Sequence, residues 1–239
     1  MRIAICIPRH GDIKGDFGIC LARMLIRTLG TKIQSRQGQV RLDIEIFSIA
    51  SSDLPESRTR LLRQAIEWRA DYLLWLDADH VFPPGALLAL LRHDLQVVGA
   101  NYARRSEPTG PVAARINEQG EREHVWTTAE LARQGAVEEV AHVGLGLCLM
   151  QMKALRQVKA HVEEHGAGWA NWAPFDRKLL PGTTTRMGED ASFFEELRAA
   201  GVKIHVDHGL SWQVGHIGER VLTNADALAQ KEAWLKRDG

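Results

Sequence analysis

A buried-type strand that ends in two aspartates constrains the fold of this chain more than any other feature. The apolar run Tyr72–Leu76 is followed at once by Asp77, Ala78 and Asp79. A continuous apolar run predicts a strand covered on both faces, as in α/β proteins, whose strand ends bind ligands. Two carboxylates one residue apart repel each other unless a cation lies beside them, and a hard divalent cation usually also holds phosphate oxygens. The run therefore predicts a metal and diphosphate site, the alternative being an Asp79 that merely caps the next helix.

The composition is that of an ordinary soluble globular protein. The 239 residues are 45% apolar and 25% charged, enough for one large α/β domain or two small ones. The 30 basic and 30 acidic residues give a formal net charge of zero, which argues against strong electrostatic binding of nucleic acid. The three cysteines are scattered and are expected to be reduced. Apolar runs have strand length, too short for a signal peptide or a membrane span, so we expect a cytoplasmic protein.

Segments with strand spacing alternate with segments of helical spacing along the chain. The pattern predicts strands at 3–7, 40–49, 72–76, 97–100, 140–152 and 202–206, and a terminal helix at 223–234. This alternation predicts one α/β domain over residues 1–239 with a mostly parallel central sheet. Residues 104–135 are expected to form loops with a minor edge element, and residues 165–185 a long loop, which in a compact domain is usually functional or mobile.

Taken in order, several short motifs resemble the GT-A fold of nucleotide-sugar-dependent glycosyltransferases. They are the first strand ending at Pro8, the helix start Glu56–Arg60, the strand ending at Asp79, the run Val143–Met150, the triplet Gly188–Asp190 and the segment Gly215–Gly218. The resemblance spans nearly the whole chain and rests on the order and spacing of these motifs. It implies a Rossmann-like domain in which residues 1–103 bind nucleotide and metal and residues 136–220 carry the acceptor and catalytic groups.

The resemblance assigns Asp77 and Asp79 to the family's DxD motif. In that family the second aspartate binds the metal, and the first contacts the metal shell or the ribose of the donor. His216 resembles the late-chain histidine that completes the metal site, with His208 as a rival because it follows the same strand. An imidazole beside carboxylates favours Mn²⁺ or a similar ion over Ca²⁺. We therefore expect Mn²⁺, or Mg²⁺, as the cofactor.

Glu189 and Asp190 resemble the family's xED motif at the start of a helix. The resemblance implies that Asp190 is the general base of an enzyme that inverts the anomeric centre, with Glu189 beside it. A carboxylate within reach of an acceptor hydroxyl can take its proton. In a retaining enzyme this role falls away. The alternative is that acidic residues at a helix N-terminus are favoured by the helix dipole alone.

The loop that begins at Pro8 and Arg9 matches the place where the family holds the base and ribose of the donor. The acidic residue expected near the base has two candidates, Asp12 and Asp16. Either Arg58 or Arg60 lies where related enzymes carry an arginine near the nucleotide or the metal-binding aspartate. The planar guanidinium suits phosphate and carboxylate. The alternative for both arginines is a solvated helix face.

The acceptor side is assigned to glycines and aromatic residues. Gly144 and Gly146 resemble glycines that let a sugar lie against the backbone, the alternative being a strand bulge. Trp169, Trp172 and Phe175 lie in the predicted long loop. Exposed aromatic residues there would stack on a sugar or another acceptor, because such residues are otherwise unusual on a surface. The alternative is that they anchor the loop to the core.

These assignments predict a metal-dependent glycosyltransferase that moves a sugar from a nucleotide-diphospho-sugar, such as a UDP- or GDP-sugar, to an acceptor hydroxyl. The acceptor stays open: a glycan, a small molecule, a protein or a modified base. A non-catalytic nucleotide- or glycan-binding module of the same fold is the main alternative. A sugar nucleotidyltransferase would need a richer phosphate loop after the first strand than Pro8–Gly11 supplies. A metal nuclease would need a basic face, which the neutral net charge does not supply.

Overall fold

The computed structural model describes residues 1–35, 38–166, 168–179, 184–218 and 221–238. Its strands are β1 (Arg2–Arg9), β2 (Ile33–Ser35), β3 (Gly38–Val40), β4 (Asp43–Ala50), β5 (Tyr72–Leu76), β6 (His80–Val81), β7 (Val97–Gly99), β8 (Ala114–Ile116), β9 (Arg122–His124), β10 (Val137–Val140), β11 (Leu147–Gln151), β12 (Ile204–Asp207), β13 (Gly215–Ile217) and β14 (Val221–Leu222). Its helices are α1 (Gly15–Leu29), α2 (Leu54–Glu67), α3 (Ala86–Arg92), α4 (Ala129–Gln134), α5 (Met152–Glu164), α6 (Glu189–Ala199), α7 (His208–Ser211), α8 (Asn224–Ala229) and α9 (Lys231–Asp238). A 3₁₀ turn covers Trp169–Asn171.

Seven strands form the central sheet, in the order β10-β12-β7-β11-β5-β1-β4. Strands β1, β4, β5, β7 and β12 run in one direction, and β10 and β11 run in the other. The predicted Rossmann-like α/β fold with a mostly parallel sheet is therefore confirmed. The division of function between residues 1–103 and 136–220 stays a prediction.

Both faces of the sheet are covered, which explains why its central strands are continuously apolar. Ile3 and Ile5 of β1 pack with Phe17 of α1 on one face, whereas Ala4 packs with Leu61 of α2 on the other. Because successive side chains of a strand point to opposite faces, a strand with a helix on each side needs apolar residues at every position. This sandwich holds the ends of β1 and β5 side by side.

Several element boundaries differ from those predicted. The segment predicted as a strand at 140–152 is two strands, β10 and β11, with Gly144 and Gly146 in the turn between them. The predicted strand at 40–49 is interrupted between β3 and β4, and the terminal helix is two helices, α8 and α9. The expected minor element within 104–135 consists of the β8–β9 hairpin and α4. Residues 167 and 180–183 of the predicted long loop lie outside the described part of the chain. Among described residues, no helix has both the length and the apolar character needed to cross a membrane.

Candidate functional site

A cleft of about 720 Å³ opens where β1 and β5 end. Such a volume is typical of a site for a small molecule or cofactor. Five residues predicted from the sequence line it, namely Pro8, Arg9, Asp77, Asp79 and His216. Of the two aspartates proposed near the base, Asp12 lines the cleft, whereas Asp16 is absent from its described lining. The cleft therefore joins the first-strand loop to the two aspartates.

A small three-stranded sheet brings His216 to the aspartates. Strand β13 pairs antiparallel with β6, and His216 lies opposite His80 in the register. Their rings stack with centroids 4.3 Å apart. A side chain at Gly215 would lie 2.3 Å from the Cγ1 atom of Val221, so this position must be glycine for β13 and β14 to pair. The pairing of β13 with β14 thus explains the glycine at position 215.

Asp79, His80 and His216 form a group that could hold a metal ion. One ligand atom from each lies within 4.8 Å of the others. The Oδ2 atom of Asp79 is 3.4 Å from Nε2 of His216, and its Oδ1 atom is 3.2 Å from Nδ1 of His80. Two imidazole nitrogens and a carboxylate oxygen suit Mn²⁺ and other transition ions better than Ca²⁺. Asp77 is not part of this group.

The hydrogen bonds around the two histidines fit a metal ligand set. The Nδ1 atom of His216 lies 3.0 Å from the carbonyl oxygen of Ala103, which can only accept, so Nδ1 carries the proton. This leaves the lone pair of Nε2 facing Asp79, and such a backbone contact is typical behind a metal-bound histidine. The ring of His80 is fully buried, and its Nε2 atom has no hydrogen-bond partner among the described residues. A buried polar group without a partner needs an explanation, and a cation here supplies one.

The charges around the group keep Asp79 ionised, as a metal ligand must be. Burial opposes ionisation of Asp79, but its contacts with His216 and His80 outweigh burial, and the pKa of this carboxyl lies well below its usual range. Burial lowers the pKa of His80, which keeps the ring neutral and able to bind a metal. The Nη1 atom of Arg105 lies 3.1 Å from Oδ2 of Asp79. Arg105 also lines the cleft, so a cationic side chain stands beside the metal group.

Asp77 bonds instead to Arg58, on the inner face of α2. The Nη2 atom of Arg58 lies 3.2 Å from Oδ1 of Asp77. Asp53 caps the N-terminus of this helix, because its side chain accepts a hydrogen bond from the backbone N–H of Glu56, 3.1 Å away. Arg58 then falls on the side of α2 that enters the core, and its guanidinium lies 5.7 Å from the ring centroid of Trp75. Arg60 is exposed, so Arg58 is the arginine that meets the aspartate.

Asp190, in the first turn of α6, contacts the same nitrogen of Arg58 as Asp77 does. Its Oδ1 atom is 3.4 Å from Nη2 of Arg58, and its Oδ2 atom accepts a hydrogen bond from the backbone of Leu145 at 3.1 Å. Burial raises the pKa of Asp190 to about 6, Arg58 opposes this rise, and Glu189 and Asp77 add to it. The side chain is still 24% exposed. Asp190 is therefore a reachable carboxylate with a raised proton affinity.

Glu189 lies between two arginines. Its Oε1 atom is 4.0 Å from Nε of Arg58, and its Oε2 atom is 3.6 Å from Nη2 of Arg177. Glu189 and Asp190 contact the same guanidinium, so these two acidic residues have contacts beyond their interaction with the dipole of α6. The cluster of Arg58, Asp77, Glu189 and Asp190 carries one positive and three negative charges when all are ionised.

Gly144 and Gly146 are needed by the packing of the site itself. A side chain at Gly144 would lie 2.1 Å from the hydroxyl of Tyr102, and one at Gly146 would lie 2.5 Å from Cε1 of His80. The backbone N–H of Gly146 also donates a hydrogen bond to the Tyr102 hydroxyl, 3.0 Å away. These contacts explain both glycines without a ligand, and their role toward an acceptor stays a prediction.

The tryptophans predicted for the acceptor lie away from the described lining of the 720 Å³ cleft. Trp169 and Trp172 stack on each other with centroids 4.4 Å apart, and Nε1 of Trp172 donates a hydrogen bond to Glu196, 2.6 Å away. They border a small depression against α2. Their acceptor role stays a prediction. Phe175 is fully buried and lies edge-on to Trp75, so its predicted stacking on a ligand is wrong.

Three residues of the site escaped the sequence prediction. His80 directly follows Asp79, and a histidine next to two aspartates is a signal that could have been used. Tyr102 and Arg105 have no such signal, because only the folded chain brings their segment to the end of β5. His208, the rival metal ligand, is absent from the metal group: its Nδ1 atom lies 2.9 Å from the hydroxyl of Thr127.

Two solved structures resemble most of the chain. The crystal structure of A197 from STIV matches with a TM-score of 0.54 and 19% identity, over 95% of this chain and 92% of that chain. The crystal structure of GalNAc-T7 with UDP, GalNAc and Mn²⁺ matches with a TM-score of 0.48 and 13% identity, over 90% of this chain and 43% of that chain. The first match shows a shared fold alone, whereas the second is too weak to carry an argument. No protein-family model and no curated protein sequence matches this chain.

Proposed function

We propose that this chain is a metal-dependent glycosyltransferase that moves a sugar from a nucleotide-diphospho-sugar to an acceptor hydroxyl. The observation that carries the proposal is a ligand group at the cleft with a linked carboxylate close by. Asp79, His80 and His216 supply the ligand atoms, and Asp190 contacts the same nitrogen of Arg58 as the cleft residue Asp77. The 720 Å³ cleft is large enough for a nucleotide.

The donor binds in the cleft between the first-strand loop and the ligand group. Pro8 and Arg9, with Asp12 beside them, hold the base and ribose, and Arg105 faces the diphosphate. Asp79, His80 and His216 hold Mn²⁺, with Mg²⁺ disfavoured by the two nitrogen ligands. When bound, a divalent ion neutralises the charge that develops on a departing nucleoside diphosphate.

Asp190 accepts the proton of the acceptor hydroxyl. The hydroxyl oxygen then forms a bond to the anomeric carbon, and the bond from that carbon to the diphosphate oxygen breaks, its electron pair leaving with the nucleoside diphosphate. A pKa of about 6 keeps Asp190 ionised at neutral pH while raising its proton affinity above that of an ordinary aspartate. Glu189 lies beside Asp190 and binds Arg58 and Arg177.

Calorimetric titration of UDP and GDP into the purified protein tests the donor half of this proposal. Binding of one nucleotide with Mn²⁺, and its loss with EDTA, is the expected result. Asp79→Asn should abolish the metal-dependent part of the binding. Asp43→Asn is a matched control, because Asp43 is exposed on β4 and pairs with Arg2. Equal binding with Mn²⁺ and with EDTA would contradict the proposal.

A further inference from the structure

Among the described residues, Arg58 contacts carboxylates on both sides of the site. Its Nη2 atom lies 3.2 Å from Asp77 and 3.4 Å from Asp190. Asp77 lines the cleft, whereas Asp190 is held by the turn between β10 and β11. A single nitrogen atom of Arg58 therefore contacts a carboxylate of the proposed donor side and a carboxylate of the proposed acceptor side.

The bonding of Arg58 differs from that of an arginine placed only to stabilise a core. Its side chain is 1% exposed, yet its Nε and Nη1 atoms have no hydrogen-bond partner among the described residues. The Oδ1 atom of Asp190 likewise accepts no hydrogen bond from them. Charge-assisted hydrogen bonds in proteins are usually about 2.7–2.9 Å long, and a structural buried ion pair is normally fully bonded. Arg58 instead makes longer contacts, of 3.2, 3.4 and 4.0 Å, with the carboxylates of Asp77, Asp190 and Glu189.

We propose that Arg58 is a positioning residue that sets the distance between the donor-side carboxylate Asp77 and the base Asp190. This inference rests on the proposed glycosyltransferase function and assigns the alignment of its two halves to one side chain. Helix α2 holds Arg58 on a rigid backbone, because the first turn of the helix is capped by Asp53 and contains Pro55. Because both carboxylates contact one nitrogen atom, the position of that atom limits how far Asp77 and Asp190 can lie apart.

Variants of Arg58 test this role in turnover. Arg58→Met removes the charge and the link, and kcat should fall about 100-fold, as expected when a reacting group is misplaced by about 1 Å. The donor KM should change far less, because no described part of Arg58 lines the cleft. Arg58→Lys keeps the charge and much of the stem but lacks the planar fork, so it should fold and still lose kcat. Arg60→Met, an exposed position on the same helix, is the matched control.

The pH profile tests whether the charge of Arg58 acts on Asp190 during turnover. The charged groups that face Asp190 are Arg58, Glu189 and Asp77, and Arg58 lowers the pKa of Asp190. The acid limb of the profile should therefore move to higher pH in Arg58→Met and stay near the wild-type value in Arg58→Lys.

Carbon-13 NMR of labelled aspartate carboxyls, without donor or metal, gives a second readout that needs no turnover. The titration midpoint of Asp190 should rise in Arg58→Met and stay unchanged in Arg60→Met. If the wild-type protein neither turns over any donor nor binds a nucleotide with metal while this shift is seen, the glycosyltransferase proposal fails and the link between the carboxylates stands. If Arg58→Met matches Arg60→Met in kcat and in the titration of Asp190, the positioning role is overturned.

Discussion

The Nε2 atom of His216 lies 3.4 Å from the Oδ2 atom of Asp79. The proton on the other ring nitrogen is committed to the carbonyl oxygen of Ala103, so two lone pairs face each other across this distance. Such a contact is attractive only when a proton or a cation lies between the two atoms. The Nε2 atom of the neighbouring buried His80 ring has no hydrogen-bond partner among the described residues, which favours a cation.

His216→Ala should weaken the binding of Mn²⁺ at least about tenfold, since even residues behind a metal ligand contribute that much to affinity. Electron paramagnetic resonance of free Mn²⁺ during a titration measures the change. His165→Ala is the control, because His165 is exposed beyond the end of α5. Equal affinities for the two variants would mean that His216 is not a ligand.

The rate of sugar transfer should depend on the ionisation of Asp190. Burial raises the pKa of this carboxyl to about 6, and a general base works only when deprotonated. We therefore expect kcat to be level above pH 7 and to fall about tenfold per pH unit well below pH 6. A pH profile at saturating metal and donor measures this, and Asp190→Asn should be inactive across the range. An unchanged rate between pH 7 and pH 5 would exclude Asp190 as the base.

Gly146→Ala should destabilise the protein and disturb the metal group together. The added methyl would lie 2.5 Å from His80, whose ring is already stacked on His216. Overpacking of this kind typically costs about 1–3 kcal/mol. Gly18→Ala is the control: Gly18 lies within α1 with open space around its Cβ position, so the change should stabilise by up to about 1 kcal/mol. Urea unfolding measures both, and equal effects of the two changes would contradict the packing.

Asp12→Asn should raise the donor KM, whereas Asp16→Asn should not. Asp12 lines the cleft beside Arg9, but Asp16 lies in the first turn of α1, away from the described lining. The loss of a hydrogen bond to a substrate hydroxyl costs about 0.5–1.5 kcal/mol, which corresponds to a change in KM of roughly 2- to 13-fold. Steady-state kinetics with varied donor compares the two variants. The opposite ranking would mean that Asp16, and not Asp12, contacts the nucleoside of the donor.

Local pattern was enough to predict the fold and much of the cleft. The apolar run Tyr72–Leu76 predicts a strand covered on both faces, as the structure has it, and the carboxyl end of that strand determines where Asp77 and Asp79 lie. The family resemblance of the segment Gly215–Gly218 predicts that His216 lies near them, and β13 does pair with β6. Each of these predictions depends on residues close together in sequence or on the order of the motifs.

Contacts between distant segments could not be predicted in this way. Arg58 and Arg60 are equivalent in sequence, and only the packing of α2 on the sheet turns Arg58 toward Asp77. The glycine and proline residues of its loop predict an exposed side chain for Phe175, yet this side chain is buried beside Trp75. Arg105 follows a segment without periodicity, so its contact with Asp79 depends wholly on the tertiary fold.

The most direct test of the central proposal is hydrolysis of a panel of UDP-, GDP-, dTDP- and ADP-sugars by the purified protein, with Mn²⁺ and with EDTA. Asp79→Ala is run beside the wild type, because this change removes the carboxylate shared by His80 and His216. The proposal predicts slow release of the nucleoside diphosphate from one donor, lost both with EDTA and in the variant. No release from any donor, with no metal-dependent nucleotide binding, would contradict it and favour a non-catalytic binding module of the same fold.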